Sequence, residues 1–237
     1  HNVTKTTCDN NNQRYDMTMV FHRYGHLTHS FTHSLTHTHK YIHSLGKRRL
    51  EKAMRAVAKS SSKTEQDLFE VKWAPFQLNP GSSETPQNKI EAYNRKFGEA
   101  RVKSMIPYMT NVGKEEGINF SYGGWISNTL QSHRVAEYVL NKKGLNAQNV
   151  FMESMFKKYF EEEKSPNDVE ALLEAASDSG VSKSEIRELL NDDKKSPSRD
   201  DVKNDIQTYV SKHHVTGVPH FVIGEYSFSG AQDPVTI

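Results

Sequence analysis

Imidazoles crowd the start of this chain. Eight of its twelve histidines fall within residues 1–44, and His22, His26, His29, His33 and His37 recur three or four apart. On a helix that spacing would stack them along one face, as in a zinc site. The surrounding composition opposes such a helix, because His26 to Ser44 is assembled from His-Ser and Thr-His units. Thr, Ser and His are poor helix formers, and biased tracts of this kind stay disordered. No metal site is therefore expected. Cys8 is the only thiol; a lone cysteine forms no internal disulfide, which fits a reducing compartment and a cytoplasmic location. His133-Arg134 is the other pair with the chemistry to meet a ligand, lining a groove. In mid-helix such a pair is ordinarily a packed histidine beside a solvated arginine.

These side chains need elements to position them. Phe221-Val222-Ile223, Gly224-Glu225 and Tyr226 to Phe228 read as strand, turn and strand, with Gly230 stopping the pairing. Pro219 stands at the entrance, where a missing amide donor is tolerated, and local chemistry alone favours a trans bond there. Leu45 to Ala58 predicts a helix with Ser44 as N-cap and Leu50, Met54 and Val57 on its inner face. Leu68 to Phe76 alternates apolar and polar residues, which predicts a half-buried strand ended by Pro75, with Trp73 in the core. Tyr15 to Phe21 is the only strand-like run in the first 44 residues.

Residues 80 to about 210 read as successive helices. Pro86 opens one that Gly98 stops, and Pro107 kinks or splits the next. Asn128 caps a third, which ends near Gly144. Phe151, Met155, Phe156, Tyr159 and Phe160 load the following helix on two faces, implying burial of both. Ser165-Pro166 reads as an N-cap followed by proline at the first helical position, and Ser182 to Glu185 as a capping box. A last helix from Arg199 to about His213 returns the chain to the hairpin.

The balance of charge narrows the function. A formal net charge of +2 favours neither nucleic acid nor a membrane surface as partner, and Lys47-Arg48-Arg49 is too short a basic cluster to change that. No apolar run approaches the roughly 18 residues of a spanning helix. Glu161-Glu162-Glu163 reads as a solvated helix end.

The Gly217-Val218-Pro219 run, feeding a hairpin that closes on Ser229-Gly230-Ala231-Gln232, resembles the C-terminal half of DsbA-family thioredoxin-like oxidoreductases, in particular the FrnE-like branch. Leu45-Gly46-Lys47-Arg48-Arg49 resembles the run that directly follows that family's Cys-Pro-Trp-Cys-Tyr motif. Trp73-x-Pro75-Phe76-x-Leu78-Asn79-Pro80, Asn128-Thr129 with His133-Arg134, and Tyr159-Phe160 with the acids after it extend the likeness. Counted back from Gly46, the two family cysteines fall on Lys40 and His43, so both are absent.

The resemblance implies an α/β, thioredoxin-like domain in two parts, residues 45–79 and 211–237, interrupted by a helical insertion over 80–210 and preceded by the low-complexity segment 1–44. It leaves the first strand and the last helix unmatched, and a sheet without its central strand would expose unpaired backbone, so the sequence predicts an incomplete domain. It also implies a cis bond at Pro219, and a substrate loop of Thr216, Gly217, Val218 and Pro219 that meets a protein or small-thiol substrate. Dithiol chemistry needs a thiolate stabilised by a helix N-terminus and a second, resolving thiol. Lys40 and His43 supply neither. No cofactor is expected, glutathione being the one that the resemblance admits: Ser44 beside His43 would then serve as in the related glutathione transferases and chromene-carboxylate isomerases. A non-catalytic binding protein built on the helical insertion is the remaining alternative.

Overall fold

A computed structural model describes residues 15–21, 42–61 and 63–237, and for residues 15–21, 42 and 43 the backbone alone. Strand β1 (Tyr15–Phe21) is the centre of the main sheet. It pairs in parallel with β2 (Phe69–Pro75) and antiparallel with β5 (His220–Ile223), and β5 in turn pairs with β6 (Tyr226–Ser229), giving the order β2-β1-β5-β6. The first strand is therefore present, in the middle of the segment read as low complexity. The expectation of an incomplete sheet is corrected with it. The strand-like run Tyr15 to Phe21 is thus a strand, and long-range pairing is what makes it the central one: Met19 lies in register with both Trp73 and Phe221, about 50 and 200 residues away. After Ser229 the described residues form no helix.

A parallel pair requires a crossover, and it runs through helix α1 (Ile42–Ser60) and a short α2 (Glu65–Leu68). Helix α1 begins before Ser44, so Ser44 lies in its first turn and is not the N-cap. Leu45, Leu50 and Ala53 face the core, whereas Val57 is 47% exposed, which moves the buried stripe away from the Leu50-Met54-Val57 line. Strand β2 does not alternate. Trp73, Ala74 and Pro75 are buried in succession, because Trp73 faces the helical insertion and Ala74 packs with Val215 and Val218 on the other face.

The edge of β2 is closed by a side chain. Gln148 accepts from the Trp73 amide at 3.0 Å and donates back to the Trp73 carbonyl at 3.0 Å, so its amide stands in for one residue of a further strand. Gln148 belongs to α6 (Leu145–Phe160), which carries the two-sided aromatic load as expected: Phe151, Met155, Phe156, Tyr159 and Phe160 are all buried.

The remaining elements of the insertion are β3 (Gln87–Asn88), α3 (Lys89–Phe97), α4 (Glu99–Glu115), β4 (Trp125–Ile126), α5 (Leu130–Lys143), α7 (Val169–Asp178) and α8 (Lys183–Asn191), with α9 (Arg199–His213) leading out. Asn88 rather than Pro86 sets the start of α3, its side chain accepting from Glu91 N. Helix α4 runs unbroken through Pro107. Thr129 is the N-cap of α5, without a side-chain bond, and the expected Asn128 stands one residue before it, accepting from Leu130 N at 2.9 Å. Asp168, three residues after the expected Ser165, caps α7. Capping boxes open α8 at Ser182 and α9 at Ser198.

Candidate functional site

Helix α1 meets the entrance of β5 at Gly46. A Cβ added to Gly46 would lie 2.9 Å from Pro219 Cγ and 3.3 Å from Phe221 Cζ. The two elements therefore approach as closely as a residue without a side chain allows. The Val218–Pro219 bond is cis. The Pro219 carbonyl accepts from Gly230 N at 2.8 Å, tying the loop to the end of β6, and Gly230 sits at φ 88°, a left-handed conformation that suits glycine.

Thr216 is exposed and Gly217 half-exposed, while Val218 and Pro219 are buried. Among the described residues, the backbone N–H and C=O groups of Thr216, Gly217 and Val218 take part in no hydrogen bond. An open backbone lip next to the start of a helix is thus the element that the four predicted loop residues build together.

His220 was missed by sequence reading, although its place directly after Pro219 was the available signal. It is 5% exposed; Nδ1 lies 2.8 Å from Ser229 Oγ, and Nε2 is buried with no hydrogen-bond partner among the described residues. Because successive strand residues face opposite ways, His220 looks away from Phe221, which stacks on Phe228 at 4.9 Å. Burial first, then the nearby charge of His213, pulls the His220 imidazole below its ordinary range.

The other predicted residues do not converge here. Ser44 is 6% exposed and lines a small cavity with Ile118, Glu153 and Phe160. At about 100° per residue, Ser44 and Gly46 point to nearly opposite sides of α1, so Ser44 faces the insertion and not Pro219. His43 is placed only by its backbone in the first turn of α1; Lys40, Cys8 and the histidines from His22 to His39 lie outside the described residues.

His133 is buried in α5. Its neighbour Arg134 is the opposite of solvated, at 0% exposed. It donates through Nε to Pro197 O (3.0 Å), through Nη1 to Gln131 Oε1 (2.9 Å) and Asp193 Oδ1 (3.2 Å), and through Nη2 to the carbonyls of Leu189, Asp192 and Lys195. All five N–H groups are engaged, most of them in closing the end of α8 and the turn after it.

The basic run also turned inward. Lys47, 4% exposed, pairs with Glu153 at 2.8 Å and with Glu51, and Arg48 pairs with Glu51 at 3.2 Å and with Glu153. Burial pushes the Glu153 carboxyl up, but Lys47 and Arg48 outweigh it and hold it below the usual range. Arg49 donates to Ala231 O at 2.6 Å, and Lys52 pairs with Glu116 at 2.6 Å. The basic run thus docks α1 onto the insertion and the C-terminal segment. Nor are the acids at the end of α6 merely solvated, since Glu161 accepts from Asn119 N at 3.2 Å and Glu163 from Ser121 Oγ.

A sheet with a parallel β1–β2 pair, an antiparallel β5–β6 hairpin and a helix start facing a cis-proline loop defines a thioredoxin-like α/β protein. The DSBA-like thioredoxin domain matches residues 44–237, and the chain belongs to that family. Two solved structures share the fold. A probable DsbA oxidoreductase from Streptomyces coelicolor superposes with a TM-score of 0.75 at 22% identity, covering 94% of this chain and 86% of its own. A 2-hydroxychromene-2-carboxylate isomerase superposes with a TM-score of 0.58 at 12% identity, covering 91% of this chain and 89% of its own. No curated protein sequence matches the chain.

Proposed function

We propose that this protein binds extended polypeptide or thiol substrates at the Thr216–Pro219 loop, as a thiol–disulfide oxidoreductase would, without carrying out dithiol exchange itself. The observation that supports it is one juxtaposition. The loop is packed against α1 at Gly46 and presents backbone groups at Thr216, Gly217 and Val218 that are uncommitted among the described residues, while the chain holds one cysteine in all, Cys8, upstream of β1. An extended segment pairing with free N–H and C=O groups gains main-chain hydrogen bonds in the manner of an added strand. Exchange, by contrast, requires an attacking thiolate and a resolving thiol, and the helix start that would activate one carries His43 instead.

The glutathione-dependent alternative needs a hydroxyl in the cleft. Ser44 lies on the far side of α1 from Pro219, which counts against it.

Titrating the protein with a reduced, carboxymethylated unfolded polypeptide tests the binding. We expect saturable binding that Gly217→Pro weakens at least tenfold by deleting a donor, and no turnover in an insulin-reduction assay. Binding unaffected by Gly217→Pro, or robust reduction of insulin, would sink the proposal.

A further inference from the structure

Residues two apart on a strand turn their backbone groups to the same side. The N–H and C=O of Trp73 point away from β1, to the outer edge of β2, because both are bonded to the Gln148 side chain at 3.0 Å. Val71, two residues earlier, therefore presents its own N–H and C=O to that edge, about 6.6 Å along the strand. Neither group has a partner among the described residues.

The opening is one residue long. On one side Gln148 occupies the Trp73 position, and on the other the Phe69 N–H is turned back to the Glu65 carbonyl at the end of α2. An added strand needs several consecutive free positions, so a polypeptide segment does not fit. A single planar amide does, and Gln148 shows how. Its carbonyl oxygen accepts from a main-chain N–H while its amino group donates to the C=O of the same residue.

Val71 also lines a cavity of about 160 Å³ between α1, β2 and α6. Leu50, Met54, Phe69, Trp73 and Leu145 give that cavity apolar walls. A dry pocket of roughly 150 Å³ is enough to hold a benzene ring. Two polar groups of the wall are already committed: Trp73 Nε1 donates to Asn149 Oδ1 at 3.2 Å, and Lys47 pairs with Glu153 at 2.8 Å and with Glu51. Glu65 is a second carboxylate of the lining beside Glu51, and Lys47 is its one cation, so the balance of charge there disfavours an anion.

We propose that this cavity binds a neutral primary carboxamide carried on a ring-sized apolar body, the amide pairing with the N–H and C=O of Val71 and the ring lying against Leu50, Met54 and Trp73. The site shares no residue with the Thr216–Pro219 loop, and its occupancy does not depend on the role of that loop.

Benzamide is a small probe of this kind. In a titration of the isotope-labelled full chain followed by NMR, we expect saturable displacement of the Val71 amide signal. The dissociation constant should be about 1 mM or below for so small a ligand, and the amides of Thr216 and Gly217 should stay in place. Benzoate offers no donor to the Val71 carbonyl and carries the disfavoured charge, so it should bind at least tenfold more weakly.

Val71→Pro deletes the N–H at an edge position where proline is tolerated, and should weaken benzamide at least tenfold, read through the Trp73 indole signal. Met54→Trp fills the cavity and should abolish binding, which keeps the site testable if the proline variant does not fold. Benzamide that leaves Val71 unmoved, or that displaces the loop amides instead, would overturn the site. So would benzoate binding as tightly as benzamide, or affinity unchanged in either folded variant.

Discussion

Arg134 and the Pro219 loop are both polar features packed into the interior of one chain, yet they are built on opposite principles. Around Arg134 every donor has its acceptor, mostly main-chain carbonyls of Leu189, Asp192, Lys195 and Pro197. Around Pro219 capacity is left over: among the described residues the amides and carbonyls of Thr216, Gly217 and Val218 are uncommitted and His220 Nε2 is unpartnered. Buried polar groups cost free energy unless paired. A fully satisfied cluster therefore reads as architecture, and one with spare capacity reads as a place where something else is meant to bind or move.

The comparison breaks first, and most severely, at Arg134. Arg134→Ala would leave several buried carbonyls without a donor, and we expect a loss of about 3–5 kcal/mol, measured by urea unfolding, with no selective effect on polypeptide binding once the protein is folded. A loss below about 1 kcal/mol would show that water replaces the guanidinium readily.

Gly46→Ala is the corresponding probe of the loop. The new Cβ would meet Pro219 Cγ at 2.9 Å, and proline is a stiff neighbour. We expect a modest loss of about 1–3 kcal/mol, accompanied by weakened polypeptide binding. Unchanged binding would show that the loop tolerates displacement and is not a shaped site.

The smallest effect sharpens the contrast through pH. The folded His220 imidazole is held below its ordinary value by burial and then by His213. Its contribution to stability is complete above about pH 6.5 and is lost as pH falls toward the folded value. The melting temperature should therefore drop on acidification through that window, and drop less in His220→Gln, which keeps an acceptor or donor for Ser229. Equal drops in the two proteins would assign the sensitivity elsewhere.

Local chemistry made much of this legible in advance. Ser182 and Glu185, Asn128 and the Phe221–Phe228 hairpin act through neighbours a few residues away, and short-range hydrogen bonds carry their own sequence signature. The candidate loop was legible too, through a resemblance resting on Gly217, Val218 and Pro219. His220 was not, because a histidine next to a proline announces nothing until burial removes its water. Arg134 was misread for the same reason: an ionised side chain looks solvated in a sequence, and only distant carbonyls make its burial tolerable.

By itself, the sequence determined the helical insertion, the hairpin and the absence of a cysteine pair, since each depends on residue types and on contacts within a few positions. Tertiary structure decided that Tyr15–Phe21 is the central strand, that Ser44 turns away from Pro219, and that Lys47 is buried against Glu153. Those facts depend on pairings across 50 to 200 residues, and the energy that selects such pairings comes from burying surfaces no local window contains.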